Sequence, residues 1–207
     1  MSDRNNRLCG LFDGLANRVR SAELRTIGFT GAVFGEGAST LALGTSLSLA
    51  ALDAGPVLLV DGNWLGPTLT GDAGGASRVG LAEVLRGEAN LTDALLQTGR
   101  GGLAFLPAGT LNGESPVGAI PSFLDEALTH FSAIVADLPP ALAGESIVVP
   151  WAASLQQLFV VVRNGVTPLA LVRRAVEQVA LEKPQVVLNR IPAWTPGWTP
   201  STPVAMT

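Results

Sequence analysis

Residues 30–40 read TGAVFGEGAST, setting glycines at 31, 35 and 37 ahead of adjacent hydroxyls on Ser39 and Thr40. A backbone that wraps a phosphate needs glycines so that its N–H groups can turn inward, and a Ser or Thr hydroxyl to meet magnesium. It also needs a lysine to reach the outer phosphates. Here Ala38 holds the lysine position, and Ala32 holds the leading glycine position, the latter a tolerated change. Acids that could serve such a loop are Asp61, closing the apolar run PVLLVD, and Asp137, closing SAIVAD. Magnesium prefers oxygen ligands and keeps several waters, so carboxylates at strand ends suit it. Taken singly, a glycine-rich turn also serves any tight turn. A lone acid after a strand also serves as a solvated terminus or a helix cap.

A common scaffold must bring these residues together, and the hydrophobic pattern supplies one. Short apolar runs at 25–30, 56–61, 102–107, 132–137, 155–163 and 185–189 read as strands. Helical spacing falls at 38–52, 80–86, 91–97, 123–131 and 167–180, with Pro168 suited to a first turn. Alternating strands and helices imply βαβ units and an α/β fold, a mostly parallel sheet with helices on both faces. The unbroken runs PVLLV, LFVVV and QVVL fit strands buried on both sides. An open sheet of this kind binds its ligands at the carboxyl ends of the strands. Thr30, Asp61, Asp137 and Asn189 all fall there.

The composition narrows the chemistry. The 207 residues fit one domain, and 47% hydrophobic against 14% charged residues excludes a disordered chain. Net charge is -4 with a pI near 5.0, so there is no basic field for nucleic acid. Mean hydropathy is +0.38, yet no apolar run approaches the roughly 18 residues of a membrane span. The polar start MSDRNNRLCG lacks a leader's apolar core. Cys9 and His130 are single, so neither an internal disulfide nor a zinc set can form. Tyrosine is absent, and Lys183 is the only lysine beside twelve arginines. The stretch 191–207, IPAWTPGWTPSTPVAMT, holds four prolines and repeats WTP at Trp194 and Trp198. It reads either as a terminal tail whose tryptophans cover an apolar patch, or as a docking peptide for a partner.

Over residues 18–191 the sequence resembles the CpsD/CapB family of bacterial tyrosine kinases, which have a ParA/MinD-like P-loop NTPase fold and act in exopolysaccharide and capsule synthesis. The family's S-x-x-P-G-E-G-K-S-T appears as GAVFGEGAST, and the GEG is fairly specific to it. Its Leu-Leu-Ile-Asp-x-Asp motif, followed by Arg and Pro, appears as LLVDGNWLGP with Asp61 and Pro67 kept. Its Ile-Asp-x-Pro-Pro appears as VADLPP from Asp137 to Pro140. GLAEVLRGEANLTDAL, LAFLPAGT, LFVVVRNGVTPLALVRRAVEQV and VVLNR follow in family order. The resemblance implies a helical segment at 1–24, a P-loop domain at 25–192 and a Pro/Trp-rich tail at 193–207. It implies that Gly35, Glu36, Gly37, Ala38, Ser39, Thr40 and Asn189 line a nucleotide site, with Asn189 near the base. Ser39, Asp61 and Asp137 would hold magnesium.

The departures bear on mechanism. Ala38 replaces the lysine, Asn63 replaces the second acid, Leu65 replaces the arginine, and the family's tyrosine tail has no tyrosine here. A charged hydrogen bond is worth about 1.5–3 kcal/mol, so triphosphate binding should weaken roughly ten- to hundredfold. Phosphoryl transfer, which depends on positioning and charge neutralisation, suffers more. Arg78, Arg163 and Arg190 follow strands and either reach the phosphates in place of the lysine or, as is more common for such residues, are solvated surface charges. The expectation is a catalytically impaired, pseudo-kinase-like protein binding ATP or ADP with magnesium weakly or not at all. By resemblance it would be cytoplasmic and homo-oligomeric, held at the inner membrane by the cytoplasmic end of a chain-length determinant (polysaccharide co-polymerase). Two alternatives stand beside it. One is an active magnesium-dependent ATPase or tyrosine kinase acting on a partner in trans. The other is a ParA/MinD-like positioning switch, although that group's loop carries two lysines and this one carries none.

Overall fold

Strand β1 (Thr26–Gly31) is buried along its whole length and is an interior strand of a seven-stranded sheet. The computed structural model describes residues 2–52, 55–75, 78–179 and 185–190. Its other strands are β2 (Val57–Asp61), β3 (Leu96–Gln97), β4 (Leu103–Leu106), β5 (Ala133–Asp137), β6 (Gln157–Arg163) and β7 (Gln185–Asn189). Their spatial order is β3-β4-β2-β5-β1-β6-β7. Every neighbouring pair is parallel except β3 with β4. This is the mostly parallel α/β sheet expected from the uninterrupted Val/Ile/Leu runs. Parallel strands need helical crossovers, and those crossovers cover both faces.

One face is covered by α1 (Ser2–Ser21) and α2 (Ala38–Ala51). Ile27 and Phe29 of β1, Leu59 of β2 and Phe159 of β6 are buried beneath them, with the Phe29 and Phe159 rings stacked 5.2 Å apart. The two helices cross closely because residue 44 has no side chain. A Cβ there would stand 2.2 Å from the Phe12 ring. The opposite face carries α4 (Leu81–Leu85), α5 (Leu91–Ala94), α6 (Ile120–His130), α7 (Glu145–Ser154) and α8 (Leu169–Gln178), closing over Leu58, Val60, Ile134 and Leu158. The short α3 (Thr68–Asp72) follows β2. No helix among the described residues is long and apolar enough to cross a membrane.

Two local expectations change. The helical spacing at 91–97 stops at Ala94, and Leu96–Gln97 pairs antiparallel with β4. Gly99 and Gly102 take positive φ, and the Thr98 hydroxyl donates to Leu103 O at 2.7 Å, so a tight turn folds the chain back at this edge. Helix α7 has no counterpart in the sequence pattern. Its sequence ESIVVPWAAS buries Ile147, Val148, Trp151 and Ala152 on one face, while Val149, Pro150 and Ala153 leave the other without a polar stripe.

Candidate functional site

Asp61 and Asp137 end adjacent strands and are register partners across the β2–β5 ladder, so the sheet sets two carboxylates side by side at its carboxyl edge. Both are fully buried. Asp61 is held: Asn63 N donates to Oδ1 at 3.1 Å, while Thr70 donates to Oδ2 through its N at 2.9 Å and its hydroxyl at 2.7 Å. The same hydroxyl accepts Ala108 N at 2.8 Å, tying β4's exit to Asp61. Burial still pushes the Asp61 carboxyl above its ordinary range, although the bonds from Thr70 and Asn63 oppose it.

Asp137 is different. Among the described residues neither of its oxygens has a hydrogen-bond donor in bonding geometry. Burial pushes it up to about 7, the neighbouring Ser39 hydroxyl favours its ionised form, and the charge of Asp61 opposes ionisation. Asn63 Oδ1 is likewise buried without a partner. Buried polar atoms are normally paired, so orphaned carboxylate oxygens mark a place built for something else.

The loop between β1 and α2 leads to Ser39, which neighbours Asp137. Gly35 (φ 82°) and Gly37 (φ 94°) take left-handed backbone that other residues rarely adopt. A Cβ on Gly37 would stand 2.3 Å from Asn189 Nδ2. Ser39 and Ala38 open α2 and are half-buried, and Thr40 is exposed. The amides of Gly35 and Gly37 donate to no backbone acceptor among the described residues.

Glu36 holds the loop from below. Its carboxylate is 3% exposed. It accepts the amides of Ala32 and, at 3.2 Å, Val33. Its other oxygen accepts the Thr167 hydroxyl and, at 3.4 Å, Arg163 N. Its backbone oxygen accepts Asn189 Nδ2 at 2.7 Å, while Asn189 Oδ1 accepts Arg190 N at 2.8 Å. The two ends of the Asn189 amide are thus engaged by the loop and by its own strand end. Thr70 and Thr167 were not legible as site residues. Only a tertiary fold brings Thr167 to Glu36.

The structure therefore gathers Gly35, Glu36, Gly37, Ala38, Ser39, Thr40, Asp61, Asp137 and Asn189 at one edge of the sheet. Thr30 lies there too, but its buried hydroxyl is spent on Pro139 O at 2.6 Å. Of the candidates to replace the lysine, Arg78 and Arg190 are exposed and Arg163 is half-buried. Among the described residues, ion pairs are made only by Arg86, which bridges Glu83 and Glu88. Lys183 and the tail with Trp194 and Trp198 lie outside the described residues. His130 is exposed at the far end of α6.

Ser39, Asp61 and Asp137 fit a magnesium ion, because the donors are all oxygen and Asp137 is unpartnered. No group of three or more His, Cys, Asp or Glu occurs among the described residues, so such an ion would keep much of its water.

No protein-family model matches the chain, and no curated protein matches it. Solved structures do. The VpsO kinase domain superposes with a TM-score of 0.78 at 24% identity, covering 92% of this chain and 98% of that one. The fold is that of bacterial tyrosine kinase domains. The BceF tyrosine kinase domain matches at 0.69 and 25% identity, over 88% of this chain and 76% of that one. A chain of the MinC:MinD cell division complex of Aquifex aeolicus matches at 0.63 and 25% identity, covering 81% and 69%. The tyrosine-kinase-like sheet is thus one variant of the ParA/MinD type of P-loop fold.

Proposed function

We propose that this chain binds magnesium–nucleotide at the β1–α2 loop without efficient phosphoryl transfer, and that it acts as a cytoplasmic partner or regulator in exopolysaccharide or capsule production. The carrying observation is the fully buried Asp137 carboxylate, left without a donor beside Asp61 and Ser39. A carboxylate held this way serves a cation. The unpaired amides of Gly35 and Gly37 and the start of the fourteen-residue α2 favour an anion above it. A magnesium–nucleotide satisfies both.

Within that reading, Ser39 and Asp137 take the cation, and Asp61, fixed by Thr70, orients its water shell. Bound there, magnesium neutralises charge on the phosphate oxygens. What the loop lacks is the lysine that would grip the outer phosphates. Ala38 stands at that position and cannot reach them, and Asn63 presents an amide where an acid would take up a proton. Both losses fall on the transfer step rather than on the fold.

The partner follows from the resemblance of the motifs and the kinase-domain fold. It is the cytoplasmic end of a membrane chain-length determinant, with this chain as a homo-oligomer. The nucleotide then acts as an assembly ligand instead of a phosphate donor.

Calorimetric titration with ADP and ATP in magnesium, on the natural chain and on Ala38→Lys, tests this. The substitution should tighten triphosphate binding about ten- to hundredfold. Micromolar binding with ATP turnover by the natural chain would overturn the impaired reading in favour of an enzyme acting in trans. Absence of binding by both proteins would make the loop purely structural.

A further inference from the structure

Of the seven exposed large apolar side chains among the described residues, four gather at one corner: Phe34 at 63% exposure, Val166 at 59%, Leu169 at 67% and Leu188 at 51%. Hydrogen bonds join the segments that carry them. The Thr167 hydroxyl, between Val166 and Leu169, donates to Glu36, two residues after Phe34. Asn189, next to Leu188, donates to Glu36 O at 2.7 Å, and its own backbone O accepts Asn164 N at 3.0 Å. A single exposed leucine is ordinary on a protein surface, whereas several at one place mark a surface that meets something.

The same corner is cationic. Arg163 is the register partner of Asn189, and Arg190 follows Asn189 directly. On α8, Arg173 lies four residues after Leu169 and Arg174 four after Ala170, so both extend the exposed face that Leu169 begins. None of these four guanidinium groups makes an ion pair or a hydrogen bond among the described residues. Glu177 is the one acid of α8. The sequence is lopsided in the same sense. From residue 157 onward it holds five basic and two acidic residues, a charge of +3, whereas residues 1–156 hold eight basic and fifteen acidic, a charge of -7. An anionic surface therefore attracts this corner and repels the remainder, which sets an orientation.

We infer that the four apolar side chains enter the surface of an anionic bilayer while the four arginines meet its phosphate headgroups. The chain then touches lipid itself, in addition to any tether through a protein. Apolar groups in the headgroup boundary and arginines on anionic lipid are the two components of interfacial binding. A helical or extended peptide would call for a groove, and these side chains protrude instead. Cavities of about 390 and 430 Å³ open elsewhere on the described surface, and neither is lined by any of the four. Phe34 belongs to the β1–α2 loop, so docking brings the candidate nucleotide crevice beside the headgroups.

Co-sedimentation of the 207-residue chain with vesicles tests this, with no nucleotide and no other protein present. Phosphatidylcholine vesicles containing about one third phosphatidylglycerol are compared with phosphatidylcholine alone. The chain should pellet with the anionic vesicles, far less with the neutral ones, and less as salt is raised. Each arginine near such a surface is worth about fivefold in affinity, so Arg173→Gln with Arg174→Gln should weaken binding about twenty- to thirtyfold. Val166→Ser with Leu169→Ser should weaken it about tenfold. All four positions are exposed, so thermal unfolding of these variants should match that of the natural chain. Arg20→Gln with Arg100→Gln is the control. It removes the same charge from exposed sites at the edge where β2, β4 and β5 begin, and should leave binding unchanged.

Equal losses from the two arginine pairs would overturn this corner as the contact. Pelleting indifferent to Val166 and Leu169 would overturn insertion. No pelleting with anionic vesicles would overturn the bilayer and give the face to a protein partner. The vesicles carry no nucleotide, so that failure leaves the binding titration and its reading untouched.

Discussion

Replacing Asp137 by Asn should make the protein more stable at alkaline pH and change it little at acid pH. Folded, Asp137 holds its proton up to about pH 7; unfolded, it would release it near 3.8. Between those values the folded state binds more protons, so the contribution of this group falls as pH rises. The full span is about 4 kcal/mol, and the part between pH 5 and pH 8 is roughly 2–3 kcal/mol. Asp61 is raised by burial as well and acts in the same direction. The amide introduced at position 137 would stay neutral throughout. Urea unfolding of both proteins at pH 5 and pH 8, with chelator present, gives the comparison. The natural chain should lose about 2–3 kcal/mol relative to Asp137→Asn across that interval. A stability difference independent of pH would refute the reasoning, since it would mean that Asp137 is solvated or paired in the folded chain. A difference that shifts towards the natural chain with rising pH would refute its sign.

Three other outcomes follow from the same edge of the sheet. Gly37→Ala puts a Cβ into left-handed backbone against Asn189, which should cost about 2–3 kcal/mol through strain and the lost bond to Glu36 O. Thermal unfolding would register this as a fall of roughly 4–12 °C. Glu36→Ala strands the amides of Ala32 and Val33 and the Thr167 hydroxyl, costing about 1–3 kcal/mol for each group that water cannot reach. Hydrogen exchange should speed up in the loop and in the 163–167 turn together. Thr70→Val removes a donor from Asp61 and the acceptor of Ala108 N, so it should destabilise by about 1–3 kcal/mol and raise the Asp61 pKa further, readable by NMR titration.

The strands were legible because burial on both faces leaves no room for polar residues, as PVLLVD and LFVVVR show. The phosphate-loop residues and both acids were legible for a related reason: they sit where those runs stop. Helix α7 was not, because its less buried positions include Val149, Pro150 and Ala153 in place of charged residues, so its one buried face leaves no amphipathic period in the sequence, and Pro150 argues against a helix locally. The two-residue β3 was hidden inside a helical spacing that a glycine turn interrupts. The part played by Glu36 could not be read at all. Its partners Arg163 and Thr167 lie 127 and 131 residues away, and no spacing rule spans such a separation.

The bonds that Glu36 makes beneath the loop separate two properties usually acquired together. The loop's shape is set by a buried carboxylate, two amides, a threonine and the Asn189 side chain, all of which lie off position 38. The side chain at 38 can therefore change without loosening the cradle. For a lineage carrying this chain, chemistry could be lost by one substitution with no folding defect to select against it. A protein engineer meets the reverse case: Ala38→Lys would enter a cradle already formed, so the effect of that single charge can be tried without rebuilding the loop.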